Sequence, residues 1–153
     1  MSPKVLLNTL ISAKPLNALA PVADLVLRLY VSKVFFLSGL TKIQDWETTV
    51  FLFTEEYRTP FLPPLLAAIG GTAAELILPM LLTLGLLTRL AAFGLFAVNI
   101  VAVVSYYHVL HEMPAALQDH LEWGLILLMI ASISCCRLGL DTLILRKFKQ
   151  TNQ

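Results

Sequence analysis

Charged residues are scarce in this chain. Asp, Glu, Lys and Arg make up 14% of its 153 residues, where a soluble domain averages about 25%. The formal net charge is +1, and without a basic surplus the composition argues against nucleic acid as a partner. Cysteine occurs only twice, at the adjacent positions Cys135 and Cys136. That leaves no CxxC pair and no metal-binding cysteine spacing. The pair reads either as two small buried apolar residues or as a redox-active vicinal dithiol. A nucleotide-binding glycine loop, a Ser/His/Asp arrangement and a CxxCH haem attachment site are also missing. Any redox cofactor would be a bound quinone, a haem held by lone histidines, or a group supplied by a partner.

Apolar residues, 58% of the chain, fill the space. They gather into four runs, Val22 to Ile43, Leu62 to Leu87, Leu90 to Leu110, and Leu121 to Leu140. Each is close to the ~20 residues that a helix needs to cross a bilayer. The runs are too long for barrel strands, and in lipid a helix satisfies its own backbone. The expected fold is an all-α membrane protein, an antiparallel four-transmembrane-helix bundle embedded in a lipid bilayer. No room remains for a soluble catalytic domain. Between the first two runs, Trp46, Val50, Phe53 and Tyr57 recur at helical spacing, which predicts a short amphipathic helix at the interface. Its role is either a lid over the bundle mouth or a brace on the membrane surface. The domain division expected is 1–20 as an N-terminal interfacial segment, 21–143 as the membrane domain and 144–153 as a basic tail.

Lys and Arg set the orientation. Lys4, Lys14, Arg89, Arg137, Arg146, Lys147 and Lys149 fall on the side that holds both termini. The other side holds Asp45, Glu47, Glu55, Glu56, Glu112 and Asp119 against Lys42 and Arg58. The positive-inside rule then predicts a multi-pass protein of the inner (cytoplasmic) membrane with both termini cytoplasmic. Lys4, the Leu6-Leu7 run and Ala18-Leu19-Ala20 imitate a signal peptide. Asn8 and Lys14 interrupt it and Pro21 would follow the cut, so an uncut surface segment is expected.

Polar residues at membrane depth are the functional clues. Counting 1.5 Å per residue puts Lys33, Glu75 and Asn99 near mid-membrane, with Arg28 closer to the cytoplasm. Asp24 and Arg28, four apart, can pair along one helix. Pro79 deprives the Glu75 carbonyl of its helical donor, so a bend is expected there. Gly70-Gly71-Thr72-Ala73-Ala74 would admit a neighbouring helix. Arg28, Lys33, Glu75 and Asn99 therefore form one candidate polar network. It is either a buried ion pair holding helices together or a place where Glu75 titrates or binds a polar ligand headgroup. His108, His111 and His120, with Glu112 and Glu122 nearby, form a second candidate, a metal site at the outer end. That signal is weak, because no HExxH or comparable spacing supports it and interfacial histidines often simply face water.

Several short motifs carry a resemblance. Leu27-Arg28-Leu29 and Gly39-Leu40-Thr41-Lys42 lie in the first run and Glu75-Leu76 in the second. Leu84-Gly85-Leu86-Leu87-Thr88-Arg89 forms the turn into the third, and Arg137-Leu138-Gly139-Leu140-Asp141 ends the fourth. In this order the chain resembles the DoxX family of small four-helix membrane proteins, over roughly residues 22–143. Where that family often has small glycines after the glutamate, this chain has Ile77, Leu78, Pro79 and Met80. The resemblance implies a membrane subunit or accessory of a redox system, with a quinone as the implied cofactor and a protein partner or homo-oligomer as its setting. It equally implies a non-catalytic scaffold or chaperone in oxidative- or metal-stress response. The residues leave open whether the chain is an enzyme.

Overall fold

The computed structural model describes residues 18–133 and 138–151, and the side chains of all of these except 148, 149 and 151. The N-terminal segment with Lys4 and Lys14, the cysteines Cys135 and Cys136, and Arg137 lie outside the described residues. Those described are helical, with no strand among them. The helices are α1 (Ala20–Gln44), α2 (Trp46–Glu55), α3 (Pro64–Leu84), α4 (Thr88–Leu110), α5 (Pro114–Ile133) and α6 (Leu140–Thr151). Three of them, α3, α4 and α5, are long and apolar enough to cross a membrane. The 25-residue α1 is long enough too, but Asp24, Arg28, Lys33 and Lys42 interrupt its apolar character.

Each boundary has a local cause. Pro21 and Pro64 sit in the first turns of α1 and α3, where the missing N–H costs nothing and φ is already helical. Asp45 caps α2 by accepting from the Thr48 N–H at 3.0 Å. These hydrogen bonds hold its carboxyl below the usual aspartate value. Gly85 ends α3 in the left-handed region, at φ 66°. There Leu86 N–H bonds Leu81 O and Gly85 N–H bonds Leu82 O, the Schellman closure.

The fourth run shifts. The fourth run was placed at Leu121 to Leu140, yet α5 covers Pro114–Ile133. Pro114 starts the helix, so Asp119, expected in the gap before the fourth run, belongs to its opening turns with Gln118, His120 and Glu122. Helix α3 continues through Pro79 without a break. The irregular residue is Tyr106 in α4, at φ −117° and ψ 15°. Helix α6 also runs across residue 143, where sequence alone starts the tail.

The core joins Val31 and Phe35 of α1, Leu82 of α3, Ala91, Ala92 and Leu95 of α4, and Leu127 and Ile130 of α5. Outward faces are apolar as well, with Ile77, Phe93, Val104 and Leu125 each more than half exposed. A surface of that kind suits lipid rather than water. Bulk on α3 meets glycine on its neighbours. A Cβ added to Gly39 of α1 would lie 2.9 Å from Leu76 Cγ, and one on Gly94 of α4 would lie 2.8 Å from Leu78 Cδ1. Close helix approach is thus achieved with the small residue on the partner helix. Gly70 has nothing within 4 Å of such a Cβ, and Gly71 meets only the Phe53 ring at 3.7 Å. These two glycines leave space instead of bringing helices together.

Candidate functional site

The space left by Gly70 and Gly71 belongs to a partly open cavity of about 660 Å³ beneath α2. Phe53 and Tyr57 contribute to its wall from the α2 side, and Phe35, Val98, Val101 and Leu110 from the long helices. The aromatic wall is continuous. Phe53 meets Tyr57 edge-on with ring centroids 4.9 Å apart, and Tyr57 meets Tyr106 in the same way at 4.9 Å. Burial, with the nearby Tyr106 and Glu56 adding to it, pushes the Tyr57 phenol above its usual range. It therefore stays neutral and can donate.

The irregular turn in α4 ties the link after α2 to this wall. Arg58 N–H donates to Ser105 O at 2.9 Å, and Tyr106 Oη donates to Glu56 Oε2 at 3.2 Å. The Ser105 side chain is buried, lines the cavity, and its hydroxyl has no hydrogen-bond partner among the described residues. A buried hydroxyl left in this state has a bonding capacity that a ligand or water could use.

A charged pair also lines the cavity. Lys42 Nζ lies 2.5 Å from Glu75 Oε2 and 2.8 Å from Ser38 Oγ. Glu75 is 7% exposed. Thr49 Oγ donates to the Lys42 carbonyl at 2.9 Å, which fixes the start of α2 against the end of α1. The partner of Glu75 is thus Lys42, a residue that the sequence reading left at the interface.

The other members of the predicted network lie elsewhere. Arg28 is fully buried at the α3–α4 turn, seven residues along α3 from Glu75, about 10 Å. Its Nε lies 3.2 Å from Asp24 Oδ2, and its Nη2 donates to Leu138 O at 2.6 Å. Lys33 is exposed on the outer side of α1. Asn99 is buried and engaged with His120, its Nδ2 donating to His120 O at 2.9 Å and its Oδ1 lying 2.8 Å from His120 Nδ1. A carbonyl can only accept, so the amide orientation is fixed and Asn99 Oδ1 must accept from Nδ1–H. Nδ1 of His120 is thus a donor in this pair. Its ring meets Trp123 at 5.0 Å, and both line the cavity.

The three candidate metal ligands are not brought together. His120 is held by Asn99, His111 Nδ1 lies 3.0 Å from Tyr107 O, and His108 packs on Tyr106. Among the described residues no three His, Cys, Asp or Glu side chains converge on a point that could hold a metal.

Arg28 belongs to a different construction, in which the short motifs of the sequence meet. Gly85 and Gly139 touch backbone to backbone. A Cβ on Gly85 would lie 2.5 Å from Gly139 Cα and 2.7 Å from Arg28 Nη1. Asp141 accepts from the N–H groups of Leu87 at 2.8 Å and Thr88 at 2.9 Å, and from the Thr88 hydroxyl at 2.8 Å. Leu87 is itself in the left-handed region and offers α4 no side-chain cap, so Asp141 caps that helix from a distant part of the chain. Burial works to raise the Asp141 carboxyl, but the bonds from Thr88 and Leu87, with Arg28 nearby, hold it below its usual value. Arg89 closes the end of α5 by donating to Ala131 O at 2.6 Å and Ser132 O at 3.0 Å.

No curated protein and no solved structure matched this chain. The DoxX family profile matches residues 23–108, more than half of it, and takes in Arg28, Lys42, Glu75, Asn99 and the α3–α4 turn. With three helices fit to span a membrane, this is a multi-pass membrane protein, and the chain belongs to the DoxX family.

Proposed function

We propose that this chain binds the headgroup of a quinone-like amphiphile in the cavity beneath α2, as a membrane subunit or accessory of a redox system. The observation that carries this reading is an apolar, ligand-sized space, about 660 Å³, lined by the Lys42–Glu75 pair and by the unsatisfied Ser105 hydroxyl. Small-molecule sites commonly combine a few hundred cubic ångströms of apolar wall with a few converging polar groups. Lys42 can donate to a carbonyl oxygen. Glu75 can accept from a hydroxyl, Ser105 can do either, and the aromatic wall offers faces for stacking. In this reading α1 is the fourth antiparallel span of a bundle, since 25 residues reach about 37 Å and its buried charges are paired inside. Both termini lie in the cytoplasm of a cell whose inner membrane holds the protein.

The test is quinone binding by the full-length protein in lipid nanodiscs, followed by quenching of Trp123, with Trp46→Phe removing the other tryptophan. Saturable quenching is expected. Lys42→Met and Glu75→Gln should each weaken it by about tenfold or more, the value of a charge-assisted hydrogen bond. Absence of quenching, or equal affinity in both variants, rejects the reading. The second reading, a non-catalytic scaffold or chaperone in oxidative- or metal-stress response, draws on the fact that Glu75 is already paired with Lys42. A protein that binds no quinone but is recovered with a stoichiometric partner would favour it.

A further inference from the structure

The cavity beneath α2 is open on one side. Of the residues that line it, the exposed ones are Leu62 just before α3, Gly70 in α3, and Ala97 and Val101 in α4. The lining residues of α1, α2 and α5 are buried or partly buried. The opening therefore follows one seam, between α3 and α4. From the tight turn at Gly85 these two helices run side by side, and Leu78 fills the notch at Gly94, 2.8 Å from where a Cβ would stand. Counting along both helices from that contact puts Ala97 level with Glu75, and Val101 level with Gly71, about 10 Å toward the α2 end. Two glycines in a row leave α3 with no side chain at that level. A Cβ on Gly70 would have nothing within 4 Å, so the seam closed at Gly94 is parted at Gly70.

The roof of the cavity, by contrast, is fastened at both ends. Thr49 bonds the Lys42 carbonyl where α2 begins. Where it ends, Arg58 N–H bonds Ser105 O and Tyr106 bonds Glu56. Around the open seam stand Leu66, Ile69 and Val104, all apolar and exposed. Both helices are long and apolar enough to cross a membrane, so the seam faces hydrocarbon rather than water. Behind it stands Ser105, 3% exposed, which lines the cavity with its hydroxyl unpartnered among the described residues. An apolar slot that leads from lipid to an unfilled polar group suits an amphiphile.

We infer that the α3–α4 seam is a lateral portal through which the ligand of the cavity enters from the bilayer. Its hydrocarbon tail stays in the portal between Gly70 and Val101, while its headgroup lies by Lys42, Glu75 and Ser105. The inference rests on the quinone-like reading above and narrows the ligand to one that carries a lipid-dissolved chain. A ring without a chain, arriving from water, meets the roof of α2 instead.

The experiment uses the full-length protein with Trp46→Phe in phosphatidylcholine nanodiscs. One probe is a dimethoxy-methyl-para-benzoquinone with a decyl chain, and the other is the same ring without the chain. Quenching of Trp123 gives the affinity of each. Their ratio is compared between variants, so that partitioning of the chain into lipid cancels. Gly70→Phe places a bulky side chain in the portal and should lower the preference for the decyl quinone by about tenfold or more, the size of a common overpacking cost. Ile69→Phe adds the same bulk at the adjoining lipid-facing position and should leave the preference as in the parent. A decyl quinone with a diazirine in its chain then locates the chain with α3 and α4 unaltered, and the heaviest photolabelling should fall on residues 62–70 and 97–101. Heaviest labelling on α1, α2 or α5, or a preference unmoved by Gly70→Phe, overturns the portal and leaves cavity binding standing. Absence of saturable quenching by either probe rejects the cavity reading and the portal with it.

Discussion

Removing the carboxylate of Glu75 would strand the Lys42 ammonium in an apolar interior. Breaking one side of a buried pair costs about 3–5 kcal/mol, whereas replacing both partners by apolar residues is often neutral. Glu75→Ala should therefore lower the thermal midpoint of the detergent-solubilised protein clearly, and K42M/E75M should recover much of the loss. A double-mutant cycle read by chemical unfolding measures the coupling. Gly85→Ala faces both a positive φ and the Gly139 backbone, so a loss of at least about 1–3 kcal/mol is expected on the same measurement. The carboxylate was legible in the sequence as an acid deep in an apolar run, but its partner was not. A wheel count would have narrowed the choice. Lys33 and Lys42 are nine residues apart, which puts them on opposite faces of one helix. Phe35 and Lys42, seven apart, share the buried side. What no count supplies is the axial offset between α1 and α3, which is set by Leu76 filling the notch at Gly39.

Helix boundaries followed the chemistry of their ends. Proline starts, the Asp45 cap and the Gly85 stop are local signals, so α1, α2, α3 and α4 were readable to within a few residues. The start of α5 was hidden because its first turns carry Gln118, Asp119, His120 and Glu122, and hydropathy marked only the apolar stretch beyond them. The cap of α4 was hidden for another reason, since Asp141 lies more than fifty residues away from Leu87. Its titration gives a signed expectation. The Asp141 value in the folded protein lies below the ordinary 3.8. Its contribution is thus complete above that value and is lost as pH falls through the lower, folded one. Asp141→Asn should make stability less dependent on acid in that window, which acid titration of the unfolding midpoint would show. Tyr106→Phe removes the bond to Glu56, worth about 1 kcal/mol. Amide exchange across residues 46–57 should then rise roughly fivefold, and unchanged exchange would mean that the other contacts of α2 hold it without this bond.

At the scale of the whole molecule, charge asymmetry was the clearest message in the sequence, and it yields a topology that can be tested. A cysteine at Glu112 should react with a membrane-impermeant maleimide in intact cells, and one at Thr142 only after permeabilisation, each in a background lacking Cys135 and Cys136. The opposite pattern would reverse the orientation. The family profile ends at residue 108, yet the Gly139-Leu140-Asp141 motif closes the construction that starts at Arg28. That closure has a consequence for biosynthesis. The first turn of α4 lacks its acceptor until residue 141 has been translated and brought back to the α3–α4 loop. Nascent chains stalled before that point would hold a partly open hairpin in the translocation machinery, so the middle of the chain settles only after residue 141 has been delivered.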